Sequence, residues 1–161
     1  MSLIIKSKNE NFVQLSEDFF SACYHENIQD MNHIYDFVPD SFKNQAFHYC
    51  ISNEKVDCIV VFLKKNDLDF NFLICFILNN NNVKLLYSLK NNLSKETIND
   101  IFYKASLNQQ ISIMNCIIDM VDNETLEHSF NYVVFNLKIN SLKFFTEKLN
   151  FDLIQKFYDN M

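Results

Sequence analysis

The sequence predicts an all-α solenoid of about five helix-turn-helix repeats, each 27 to 28 residues long, closed by a C-terminal half-repeat. Three observations predict it. Apolar residues return at the spacing of one helical face, the pattern comes in pairs of stripes separated by a short polar interval, and the paired pattern recurs five times along the chain.

The first stripe of each pair has an anchor at Phe19, Phe47, Ile74, Phe102 and Phe130, and a second anchor three residues on at Ala22, Cys50, Ile77, Ala105 and Val133. A spacing of three keeps both anchors on one face of a helix. The second stripe begins at Ile28, Val56, Val83, Ile111 and Ile139. It continues through Met31, Ile59, Leu86, Met114 and Leu142 to Ile34, Phe62, Leu89, Ile117 and Phe145. That is a second helix with its own buried face.

Between the two helices lie His25-Glu26-Asn27, Asn53-Glu54-Lys55, Asn80-Asn81-Asn82, Asn108-Gln109-Gln110 and Asn136-Leu137-Lys138. Asn occupies one column in four of these five connections. After Gly it is the residue most tolerant of left-handed backbone, so it is expected to end the first helix and turn the chain into the second. Helix starts are marked by Asp40-Ser41, by Ser94 with Thr97 behind it, and by Asp122 or Asn123 ahead of Glu124 and Thr125. Phe151 to Tyr158 repeats the opening of a sixth unit, with Ile154 and Tyr158 one period after Leu126 and Phe130, and reads as a terminal cap. Residues 1–10 fall outside the repeats as a tail. With no linker rich in Pro, Gly or Ser, residues 11–161 read as a single repeat domain.

Composition narrows the function. A 48% apolar and 21% charged chain of this length can bury a core. It has no Gly, no Trp, no Arg and one proline, Pro39, so all fourteen cations are Lys. Abundant Asn, Lys, Ile and Phe beside these absences is what an AT-rich coding sequence produces. Without Gly the P-loop, the Rossmann fingerprint and the G-x-S-x-G elbow are excluded. Without the bidentate Arg fork, and with a net charge of -6, nucleic-acid binding is not expected. The longest apolar run, Leu73 to Leu78, is far short of the ~20 residues that span a bilayer, so no membrane association is expected. Five cysteines, an odd number lying in apolar helical stretches, suit a reducing compartment, and a cytoplasmic location is expected.

The stretch from His48 to Lys64, with its gapless run His48-Tyr49-Cys50-Ile51-Ser52-Asn53-Glu54-Lys55-Val56-Asp57-Cys58-Ile59-Val60-Val61-Phe62-Leu63-Lys64, resembles the ankyrin unit, whose helices read H-L-A-A-x-x-G-H-x-x-I-V-x-L-L-L. Ser21 to Asn27 and Asn79 to Leu86 are similar to the same region. The unit is shorter than the 33 residues usual for ankyrin, His48 alone survives of the T-P-L-H turn, and each ankyrin Gly is replaced. The resemblance, to divergent arrays of the kind found in large DNA viruses and AT-rich protists, implies a non-catalytic scaffold that binds another protein on a concave face. Self-association of the repeats is the alternative.

No enzymatic chemistry is expected. Cys23-x-His25 and His48-x-Cys50 point their side chains to different helix faces, no C-x-x-C is present, and neither a metal nor another cofactor is expected. Every cysteine except Cys23 sits at a column where the repeat predicts burial, the wrong setting for a reactive thiolate. Protein binding is assigned to the outward columns of the first helices. One holds Ser21, Tyr49, Phe76, Lys104 and Tyr132, the other Tyr24, Ser52, Asn79, Leu107 and Phe135. The expected binding ridge is Tyr24, Tyr49, Phe76, Tyr132 and Phe135, aromatic residues of the kind that dominate interface energetics. Packing between neighbouring repeats is the plainer use of Phe76, Leu107 and Phe135.

Overall fold

The computed structural model describes residues 2–159, with side chains from 13 to 159. Among these the chain is helical throughout, with no strand. In order, the helices are α1 (Ser2–His25), α2 (Ile28–Ile34), α3 (Asp40–Ser52), α4 (Val56–Lys65), α5 (Asn71–Asn79), α6 (Val83–Leu89), α7 (Lys95–Leu107), α8 (Ile111–Ile117), α9 (Asn123–Phe135), α10 (Ile139–Lys148) and α11 (Phe151–Asp159). A 3-10 turn extends α2, α6 and α8, at Tyr35–Phe37, Lys90–Asn92 and Ile118–Met120. Residues 2–10, set apart as a tail by the repeat pattern, are the opening turns of α1. The helices cluster into two compact units that divide between Leu73 and Ile74, inside α5.

In the first unit α1 packs beside α3 and α2 beside α4, while α1 pairs with α2 and α3 with α4. Its core is aromatic. Phe62 of α4 lies 6.0 Å from Phe19, 5.7 Å from Tyr35 and 5.0 Å from Phe47, all four rings fully buried. In the second unit α7 packs beside α9 and α9 beside α11; α6 lies beside α8 and α8 beside α10. There Phe130 meets Phe145 at 5.8 Å and Phe157 of α11 at 5.7 Å, which seats α11 on α9. Edge-to-face and tilted pairs of this kind add to the burial that the apolar stripes supply.

The stripes fall where the spacing puts them. All ten first-helix anchors, from Phe19 to Val133, are buried, and Val56, Val83, Ile111, Ile139 and Ile28 are each the first residue of a second helix. Those five are not core. Four are half-buried and Ile139 is 73% exposed, because a helical side chain leans toward its N-terminus and the first one covers the turn rather than the seam between helices.

Each first helix ends in the same turn. The amide of the residue five beyond the helix's second anchor reaches back across the end: Asn27 N–H to Ala22 O, Lys55 to Cys50, Asn82 to Ile77, Gln110 to Ala105 and Lys138 to Val133, all 2.8–3.0 Å. This six-to-one bond, with a left-handed residue before it, is the Schellman arrangement that satisfies carbonyls left over at a helix end. The left-handed residues are Glu26, Glu54, Asn81, Gln109 and Leu137, at φ 56, 52, 46, 58 and 51°. The recurring Asn is thus one place too early for the role the sequence suggests. At Asn53 and Asn136 φ is -104 and -99°, and the side-chain amide donates to the carbonyl four residues back, Asn53 to Tyr49 and Asn136 to Tyr132; Asn80 does the same to Phe76. A second donor to a carbonyl that already accepts the same residue's backbone amide, rather than left-handed geometry, is what Asn contributes.

Neighbouring repeats are joined by a recurring bond. Cys58 Sγ donates to the carbonyl of Cys23 at 3.7 Å, and at the equivalent position in the second unit Ser141 Oγ donates to the carbonyl of Ser106 at 2.7 Å. Cys23 is completely buried, which the sequence did not anticipate; in its column Ile51, Leu78 and Ser106 are buried too, and Val134 is half-buried. Cys75, expected in the core, is exposed.

Helix starts follow the sequence at α7 and α9, where Ser94 and Asp122 accept the amides of Thr97 and Thr125 at 3.1 and 2.8 Å. At α3 the cap position is Pro39, with no side-chain cap, and Asp40 is already the first helical residue. The Thr125 amide and hydroxyl, with help from Asn99, hold the Asp122 carboxyl below its ordinary range. A carboxyl lowered in the folded state stabilises the fold above its ordinary value, and that contribution is lost as pH falls through the lowered value. Asp122→Ala is therefore expected to cost about 1 kcal/mol in urea unfolding at neutral pH, with a smaller difference at about pH 3. Asp122→Asn keeps the cap and loses only the pH dependence.

Candidate protein interface

In the first unit, α1 and α3 bring two of the expected ridge residues together. The Tyr24 ring, 62% exposed, stacks on half-buried Tyr49 at 6.3 Å and 24°, and Tyr49 leans on Phe20 at 6.5 Å. The edge of His25 lies 4.9 Å from Tyr24. Lys55, from the turn after α3, fixes the end of α1: its Nζ donates to the Tyr24 carbonyl at 2.9 Å and to Glu26 at 3.0 Å, and lies 5.9 Å from the Tyr24 ring centre. The bond to Glu26 raises the Lys55 ammonium above its ordinary range. The ring pair is thus held from both sides by repeat contacts, and its outer surface is left to solvent.

In the second unit Tyr132 of α9 is half-buried and meets Tyr103 of α7 edge-on at 6.1 Å. Tyr103 in turn stacks flat on His128, 5.0 Å away at 8°. These rings border a surface hollow of about 230 Å³ lined by Asn99, Asp100, Tyr103, Glu124, Thr125 and His128. Phe135, at the end of α9, is 72% exposed, so it does not serve as packing between repeats, whereas Phe76 of α5 and Leu107 of α7 are half-buried. Tyr103, His128, Phe20 and Lys55 were not singled out from the sequence. His48 stacks on Phe72 at 4.0 Å in the first unit as Tyr103 does on His128, with each partner 24 or 25 residues away. His48 and Tyr103 share one column and Phe72 and His128 another, neither of them one of the two read as outward.

Off these faces, burial and hydrogen bonding raise Cys50, Cys58 and Tyr35. Cys50 is pushed up chiefly by a hydrogen bond with Cys23 and by burial, and Cys58 by its bond with Cys50 and by burial. Both thiols stay protonated at neutral pH, and the thiolate is the nucleophile. Tyr35, buried and donating to Asp67 at 2.6 Å, is raised well above a free phenol. A second hollow, about 300 Å³, lies between α1 and α2 and is lined by Asp18, Ser21, Ala22, His25, Asn27, Asp30 and Ile34. Among the described residues no group of three His, Cys, Asp or Glu side chains is placed to hold a metal ion, and no helix is long and apolar enough to cross a membrane. What the two faces offer is aromatic surface edged by polar side chains. No protein family model, curated protein or solved structure matches this chain.

Proposed function

We propose that this chain is a non-catalytic, ankyrin-like helical solenoid of the cytoplasm that binds another protein through the aromatic faces of its first helices. The carrying observation is the Tyr24–Tyr49 stack, built by successive first helices, anchored by Lys55, and open to solvent on its outer side. Exposed Tyr rings already held in place lose little freedom on binding, and for that reason they make strong contact points.

The test begins with the partner retained by the tagged wild-type chain from its native host, then measures that partner's affinity for purified variants. Tyr24→Ala with Tyr49→Ala is expected to weaken binding by at least about tenfold, and Tyr132→Ala by a similar factor, with helical circular dichroism unchanged. Affinities equal to wild type in both variants would remove the proposal.

A further inference from the structure

We infer that the hollow between α1 and α2, flanked by Asp18 and Asp30, docks a basic segment of a partner protein. Charge is unevenly placed along the chain. Residues 9–42 hold seven carboxylates and no lysine, while residues 43–161 hold thirteen carboxylates and twelve lysines, close to balance. The net charge of -6 therefore originates in and around the first repeat. A coding sequence rich in A and T supplies lysine freely, so composition does not produce such a gap. Solubility does not demand it either, since charges of both signs solvate a surface and a single sign adds self-repulsion.

The repeat columns show what sets this hollow apart. Asp18 stands in the column of Ala46, Leu73, Ile101 and Ser129, and Asp30 in that of Cys58, Leu85, Ile113 and Ser141; all eight later residues are buried. Through the second of these columns Cys58 and Ser141 reach a carbonyl of the preceding repeat. The side that later repeats turn to a neighbour is thus open at α1 and α2 among the described residues, and Asp18 and Asp30 are exposed there. With Ser21, His25 and Asn27 they line a hollow of about 300 Å³, at the lower end of the size of ligand sites. Their side-chain partners are neutral: Asp18 accepts from the Gln14 amide at 2.9 Å and Asp30 from that of Asn27. Glu26, Asp36 and Asp40, by contrast, each take an ammonium from the next repeat, Lys55, Lys65 and Lys43 in turn, at 2.9–3.1 Å. Carboxylates of the first repeat are paired with lysine wherever the chain offers one, and the two left at the hollow share a concave place, where a field of one sign is concentrated. Lysine or arginine side chains of a partner supply the missing cations. This surface is distinct from the aromatic face and meets it at His25, whose ring edge lies 4.9 Å from Tyr24.

Peptide binding at low ionic strength tests this with the full chain. The wild type is expected to bind a short labelled peptide of alternating lysine and serine, but not the same peptide with glutamine in place of lysine. Amide shifts in nuclear magnetic resonance spectra should gather on residues 18–34. Asp18→Asn with Asp30→Asn keeps the shape of the hollow and should weaken binding at least about tenfold. The same loss of charge placed elsewhere, Asp57→Asn with Glu147→Gln, should change it by less than about twofold. A wild-type chain that ignores the basic peptide, shifts spread evenly over the surface, or equal losses for the two charge variants would each overturn the inference. The Tyr24→Ala, Tyr49→Ala variant should bind the peptide as the wild type does, which keeps this result separate from the aromatic faces.

Discussion

Phe62→Ala is expected to lower the unfolding free energy by about 3–5 kcal/mol, the largest effect of any single substitution considered for this chain. Phe62 is fully buried on α4, and its ring is where Phe19 of α1, Phe47 of α3 and Tyr35 of the turn after α2 converge. The aromatic core of the first unit thus converges on one side chain. Alanine would remove the ring from all three partners and leave a cavity that rigid helix backbones cannot collapse around. Typical domains are stable by only about 5–15 kcal/mol, so the loss would bring the first unit near its unfolding threshold. Urea unfolding followed by circular dichroism measures it. Phe62→Leu, which keeps most of the volume, should cost less than half as much; equal costs for the two variants would mean that the ring contacts do not organise this core.

Asp67→Ala is expected to cost about 2–3 kcal/mol, although Asp67 itself is exposed. Its two oxygens serve groups that are not. One accepts the hydroxyl of fully buried Tyr35 at 2.6 Å, and the other takes Lys43 Nζ at 3.5 Å, a lysine that is only 7% exposed and is also paired with Asp40 at 3.1 Å. The same ammonium lies 4.8 Å from the centre of the Tyr35 ring. Removing the carboxylate leaves a buried hydroxyl without an acceptor and weakens the pairing of a buried cation. Tyr35→Phe on the Asp67→Ala background should therefore recover part of the loss. A double-mutant cycle read in urea midpoints separates the outcomes, since additive costs would show that the two residues do not act as a pair.

Much of the helix layout was legible because it follows from spacing alone. Columns at Phe19, Phe47, Ile74, Phe102 and Phe130 gave the buried faces, and the start of the second stripe gave the first residue of α2, α4, α6, α8 and α10. What failed depended on geometry finer than the period. The left-handed residue is one position after the repeated Asn, a choice set by which amide reaches back to the helix, and side chains as different as Glu54 and Leu137 meet it. The column of Cys23 is buried at four of its five places and that of Cys75 is not, a distinction of about one-sixth of a helical turn at the edge of the stripe. Of the proposed binding face, Tyr24 and Tyr49 could be placed as outward from their columns, while the stacking of Tyr103 on His128 could not be read. Their stacking joins two columns across neighbouring helices, and a one-dimensional pattern holds no record of which column meets which.

The bond from position 58 or 141 to the carbonyl of an earlier helix has a consequence for how such a chain can change over time. Its acceptor is main chain, present whatever the residue, and its donor is any short side chain with one hydrogen to give, a thiol in one place and a hydroxyl in another. A joint that asks so little of the alphabet lets letters drift while the backbone keeps its course.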